Sequence, residues 1–109
     1  MASQQATIEE LLERLAGAGR VTARKMFGEY CVYLNAKPVA LVCNDILYVK
    51  PTAAGRKLAG DAEEGPPYPG AKPHIVVPVD RWRDSEALCR LIVATFKELP
   101  PPKVRKGES

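Results

Sequence analysis

Apolar residues at Ile8, Leu11, Leu12 and Leu15 follow the i, i+3, i+4, i+7 spacing of one helical face and predict a helix over Thr7 to Ala18. Thr7 is the expected N-cap, with Glu10 closing a capping box, and Gly17 and Gly19 are the expected stop. The pattern then changes period. From about Lys25 to Lys50 the chain is rich in β-branched and aromatic residues, cut by two turn signals, Asn35-Ala36-Lys37-Pro38 and Asn44-Asp45. Tyr30 to Leu34, Val39 to Cys43 and Ile46 to Lys50 therefore predict a three-strand antiparallel meander, ended by Pro51. Gly28 is the expected site of a bulge or bend at its entrance.

Placing Leu34 opposite Val39 and Cys43 opposite Ile46 sorts the meander into two faces. Tyr30, Val32, Leu34, Val39, Leu41, Cys43, Ile46 and Tyr48 share one. Cys31, Tyr33, Ala40, Val42, Leu47 and Val49 share the other. Both are apolar, whereas a sheet with one wetted face alternates apolar and polar residues. Something must cover the second face: helices, the later loop, or another subunit. Tyr33, Val42 and Leu47 are on this reading the candidate interface, to a protein partner or to a second copy in a homodimer.

Beyond the meander, Thr52 to Ala59 reads as a short helix capped by Thr52, with Leu58 inward and Gly60 as its stop. Gly55 in its interior costs about 1 kcal/mol relative to alanine. Residues 61–72 form a loop, acidic first and then Gly65-Pro66-Pro67-Tyr68-Pro69-Gly70, in which Tyr68 is expected to pack on the domain. His74 to Val79 is strand-like, with Pro78 marking an edge strand or an early end. Asp84 caps a last helix with the stripe Leu88, Leu91, Ile92 and Phe96, ended by Pro100-Pro101-Pro102. The expected organisation is one domain over 1–99 and a disordered tail over 100–109. The fold class is α+β: an antiparallel sheet built around the meander, with N-terminal, central short and C-terminal helices packed on it.

Composition adds exclusions. The chain has 109 residues, 46% hydrophobic and 27% charged, which is the range of one ordinary globular domain. Sixteen Lys and Arg against 13 Asp and Glu leave a net charge of +3, too small a surplus to indicate nucleic-acid binding by itself. No apolar run approaches a membrane span of about 20 residues, and the polar start lacks the apolar stretch of a signal peptide. Cys31, Cys43 and Cys89 are odd in number and have no CxxC spacing, so reduced thiols in the cytoplasm are expected. The register above sets Cys31 and Cys43 on opposite faces, unsuited to a bridge.

Candidate chemistry is sparse. With His74 the sole histidine, no metal site and no cofactor is expected, and a Cys–His dyad would need His74 beside a buried thiol. The simpler expectation is a strand histidine bonded to backbone. Gly17-Ala18-Gly19 follows a helix instead of a strand, so it is no dinucleotide loop. Arg20, Arg24 and Lys25 are the candidate nucleic-acid contacts, and Pro66-x-x-Pro69 matches the shortest polyproline ligand pattern.

Lys25-Met26-Phe27-Gly28-Glu29-Tyr30, with Ala40-Leu41-Val42, Ile46-Leu47-Tyr48-Val49-Lys50, Pro67-Tyr68 and Val76-Val77-Pro78 following in order, resembles the N-terminal domain of TfoX/Sxy competence regulators. Glu29 stands where that family often has a second glycine. The resemblance covers roughly Thr22 to Leu99. It implies helices on an antiparallel sheet, a layout similar to secretion-chaperone-like folds, in a cytoplasmic bacterial protein without a catalytic site. Full-length regulators of that family promote competence-gene transcription together with a global activator and carry a second, C-terminal domain. This chain is expected to be the first domain standing alone. The function expected is a non-enzymatic regulatory or protein-interaction module. Two alternatives are a transcription-associated DNA-binding protein and a small-molecule-binding domain or enzyme.

Overall fold

The computed structural model describes residues 5–26, 29–60 and 62–99. Helix α1 spans Gln5–Arg14, followed by a 3-10 turn at Ala16–Ala18. Strands β1 (Val21–Met26), β2 (Glu29–Leu34), β3 (Lys37–Cys43) and β4 (Ile46–Val49) come next. Then follow α2 (Ala53–Ala59), β5 (Glu64–Gly65), β6 (His74–Val77), a 3-10 turn at Val79–Arg83 and α3 (Ser85–Glu98). One six-stranded sheet has the order β1-β2-β3-β4-β6-β5, every pair antiparallel. This is the α+β architecture expected, with all three helices packed on one side of the sheet.

The core lies between that side and the helices. Val32, Leu34, Val39, Ala40, Val42, Leu47, Val49, Ile75 and Val77 of the sheet meet Ile8, Leu11 and Leu15 from the first helical segment and Leu88, Leu91 and Ile92 of α3. Trp82 is fully buried, its indole Nε1 donating to the Val77 carbonyl at 3.1 Å. Thr52 caps α2 by accepting from the Gly55 amide at 2.9 Å, and Asp84 caps α3 by accepting from the Ala87 amide at 3.0 Å. Gly55 is where α2 meets its neighbours: a Cβ there would lie 2.8 Å from Thr52 Oγ1, 3.1 Å from Thr95 Oγ1 and 3.3 Å from Ile75 Cδ1. Close approach of helix to helix and sheet, rather than weak helix design, accounts for this glycine.

Lys37 fastens the far end of α3. Its ammonium donates to the carbonyls of Phe96 and Leu99, each at 2.8 Å, and lies 4.1 Å from the centre of the Phe96 ring. A cation at a helix C-terminus satisfies carbonyls that have no partner within the helix and complements the helix dipole.

Several expectations are corrected. Thr7 lies inside α1 and does not cap it. A strand, β1, precedes the expected meander and pairs with β2 along its whole length. The first turn is only Asn35-Ala36, with φ of 50° and 71°, a tight left-handed pair like Asn44-Asp45 at 53° and 60°. That turn sets Leu34 opposite Lys37, and a bulge between Val32 and Tyr33 then sets Val32 opposite Ala40 and Tyr30 opposite Val42. Relative to the expected pairing β3 slips by one residue, which carries the side chains of β3 and β4 to the other face. Leu58 points outward, 52% exposed. Glu64–Gly65, expected as loop, is a short strand, and β6 is therefore flanked on both sides, with Pro78 just past its end. Gly28, the proline stop at 100–102 and the tail over 100–109 lie outside the described residues.

Candidate functional site

The face of the sheet turned away from the helices is built in rows across the strands. Arg24, Cys31, Leu41, Tyr48 and Val76 are successive cross-strand neighbours, as are Thr22, Tyr33 and Pro38. Met26 pairs with Glu29, and Cys43 with Ile46, at the end near the Asn44-Asp45 turn. Only Arg24, Thr22 and Glu29 in these rows are the polar or charged residues that a wetted face would carry throughout. Tyr33, Leu41, Ile46, Tyr48 and Val76 are half-buried, and Cys31 and Cys43 are buried. No helix among the described elements lies on this side, so it is an open, largely apolar surface.

One part of that surface is concave. Met26, Glu29, Tyr30, Cys31, Leu41, Cys43 and Asn44 line a pocket of about 660 Å³, closed on the remaining side by Pro67, Tyr68 and Pro69. The proline loop leaves the short edge strand β5 and reaches over the face to form this wall. Pro67, instead of the expected Tyr68, is the residue that packs down. Tyr68 is 56% exposed and Met26 46%, two large apolar side chains held at the mouth.

The pocket also decides thiol chemistry. Burial, and secondarily the negative charge of Glu29, push the Cys43 thiol above its usual range, so it is neutral at pH 7. Tyr33 is raised as well, first through hydrogen bonding with Cys31 and then through burial. Cys31 and Cys43 share this face, which corrects their expected separation. Cys89 sits on the helix side, its thiol donating to the Arg14 carbonyl at 3.4 Å.

The structure separates the residues expected to form an interface. Tyr33 is on the open face, but Val42 and Leu47 pair with each other beneath the helices at 0% exposure. The bulge between Val32 and Tyr33 is the reason, and Leu41 and Tyr48 occupy the places expected for them. Arg20, Arg24 and Lys25 are exposed, at or just before the edge strand β1. They form no single patch: Arg24 sits opposite Cys31 on the open face, while Lys25 sits opposite Tyr30 on the other. His74 is bonded to backbone as expected, Nδ1 lying 2.8 Å from the Lys72 carbonyl, and it does not line the pocket. Leu41 and Tyr48 are the site elements that sequence reasoning set on the wrong face, whereas the proline loop, one of the three covers expected for an apolar face, does reach over part of this one. Their signal was the doubly apolar meander, read one residue out of register.

The described helices include none long and apolar enough to cross a membrane. The model of the TfoX N-terminal domain family matches residues 13–99, from the end of α1 to the end of α3. A 12.7 kDa uncharacterized protein encoded in the trpE 5' region of Spirochaeta aurantia is 39% identical over 90 residues, covering 83% of this chain and 77% of that protein.

Proposed function

Because this chain belongs to the TfoX N-terminal domain family, we propose that it is a regulatory module of the cytoplasm that acts by binding a protein partner and performs no chemistry of its own. The observation that carries this reading is the open face. Three helices cover one side of the sheet, while Tyr33, Leu41, Ile46, Tyr48 and Val76 leave the other apolar and accessible. Contiguous apolar surface rimmed by polar residues is characteristic of surfaces that meet other proteins. Two further features agree with a non-enzymatic role. His74 is engaged by backbone away from the thiols, and Cys43 is held in its unreactive neutral form. Three free cysteines suit a reducing compartment.

The test uses the wild type, the open-face variant Tyr48→Lys and the helix-side control Lys57→Glu as baits in lysate of the native host. Any captured protein is then identified, purified and titrated against all three. Tyr48→Lys should weaken binding at least about ten-fold, with Lys57→Glu unchanged. A partner that binds all three alike contradicts the assignment of the face. Retention on DNA that needs Arg20, Arg24 and Lys25 and disappears with salt would favour the DNA-binding alternative instead.

A further inference from the structure

We propose that the pocket beneath the proline loop is a binding site for a small organic cation, one with an aromatic or apolar body and a single protonated amine. This goes beyond the docking role and stands or falls separately from it. The volume, about 660 Å³, is in the range of small-molecule sites, which are lined mainly by apolar groups with a few placed polar ones. Here Met26, Cys31, Leu41, Cys43, Pro67 and Pro69 supply the apolar lining.

The wall is pre-formed. Prolines on both sides of Tyr68 fix the backbone, the Ala71 amide donates to the Tyr68 carbonyl at 3.1 Å, and Gly70 takes a φ of +89° to complete the turn. A loop ordered in this way loses little entropy when a ligand arrives. Tyr68 then presents its ring at the mouth, where more than half of it remains in water until something covers it.

The charge in the pocket selects the class of ligand. Among the described lining residues Glu29 is the one carboxylate, with no lysine, arginine or histidine beside it in the lining. Its carboxylate is close enough to Cys43 to act on the thiol. A protonated amine near Glu29, with Asn44 as an adjoining amide, gains a charge-assisted hydrogen bond, and the aromatic ring of Tyr68 at the mouth attracts the same charge. An anion of the same shape meets repulsion.

Three probes that share an indole body separate these effects: tryptamine, its neutral alcohol tryptophol, and indoleacetate. Binding is followed by amide shifts in nitrogen-labelled full-length protein. Alkylation rates of Cys31 and Cys43 are measured alongside, with Cys89 as internal control. Tryptamine should bind about ten-fold more tightly than indoleacetate, with tryptophol between them. Shifts should centre on Cys31, Leu41, Cys43 and Tyr68, and tryptamine should slow alkylation of Cys31 and Cys43 but not of Cys89. In Glu29→Gln, checked for an unchanged melting curve, the preference should collapse to about two-fold or less. If that variant does not fold, the probe ranking and the thiol protection in the wild type decide alone. Equal binding of all three probes, shifts centred elsewhere, or no shift at millimolar tryptamine overturns the proposal.

Discussion

Val42 and Leu47 face each other across β3 and β4 on the helix side of the sheet, both without solvent exposure. Their sequence neighbours Leu41 and Tyr48 form the adjacent pair on the opposite side, half-buried. Adjacent positions in the chain thus belong to the core and to the candidate docking surface. Val42→Glu should cost about 4 kcal/mol or more, because it buries a charge with no partner, and leave the protein largely unfolded. Leu41→Glu should cost roughly 1 kcal/mol and leave the fold intact. Urea melts of the two variants check this, and the reverse order would mean that the faces are exchanged.

The face assignment is also where sequence reading reached its limit. Asn44-Asp45 was legible as a tight turn because both residue types accept positive φ, and the pairing of Cys43 with Ile46 followed correctly. Asn35-Ala36 was harder, because alanine at a φ of 71° carries no such signal and Pro38 drew the expected turn outward. The bulge that follows leaves no mark where Val32, Tyr33, Val39 and Ala40 are all apolar. Alternation of polar and apolar residues normally fixes register, and here it was missing. β1 escaped for a related reason: Val21-Thr22-Ala23-Arg24-Lys25-Met26 is an exposed edge with charges, which blunt strand edges and hide strand character. The helix stripes were legible because they face a single core. Leu88, Leu91 and Ile92 are buried as spaced, while the role of Gly55 depended on contacts that no local pattern encodes.

Gly55→Ala should be destabilising although alanine favours a helix by about 1 kcal/mol. The added methyl would press on Thr52 Oγ1 at 2.8 Å and Thr95 Oγ1 at 3.1 Å, disturbing a cap and a helix contact together. A net loss of about 1 to 2 kcal/mol is expected in thermal or urea melts. Thr95→Ala in the same chain should recover part of it, which a double-mutant cycle would register as favourable coupling.

Lys37→Met keeps the aliphatic stem and removes the ammonium that joins the β2–β3 turn to the last carbonyls of α3. A loss of about 1 to 2 kcal/mol follows from the unmade charged hydrogen bonds and the lost contact with Phe96. Hydrogen exchange should quicken in the final turn of α3, with the first turn, capped by Asp84, unchanged.

The thiol and phenol shifts set a pH dependence. Cys43 and Tyr33 both have pKa values raised in the folded protein, so folding favours their protonated forms. The stability they contribute is complete below the unfolded thiol value near about 8.5 and is lost as pH rises through the folded values. Melting temperature should therefore fall on the alkaline side of that pH. Glu29→Gln removes the charge that helps raise Cys43, and alkylation of Cys43 at fixed mildly alkaline pH should accelerate. An unchanged rate would mean that burial alone holds the thiol neutral.

The central claim, that the open face is where this protein meets its partner, is tested most directly by mapping amide shifts in labelled protein as the purified partner is added. The account predicts that the shifts gather on Tyr33, Leu41, Ile46, Tyr48 and Val76, with α1 and α3 silent. Shifts gathered on the exposed sides of α1 and α3, with the open face unmoved, would contradict it.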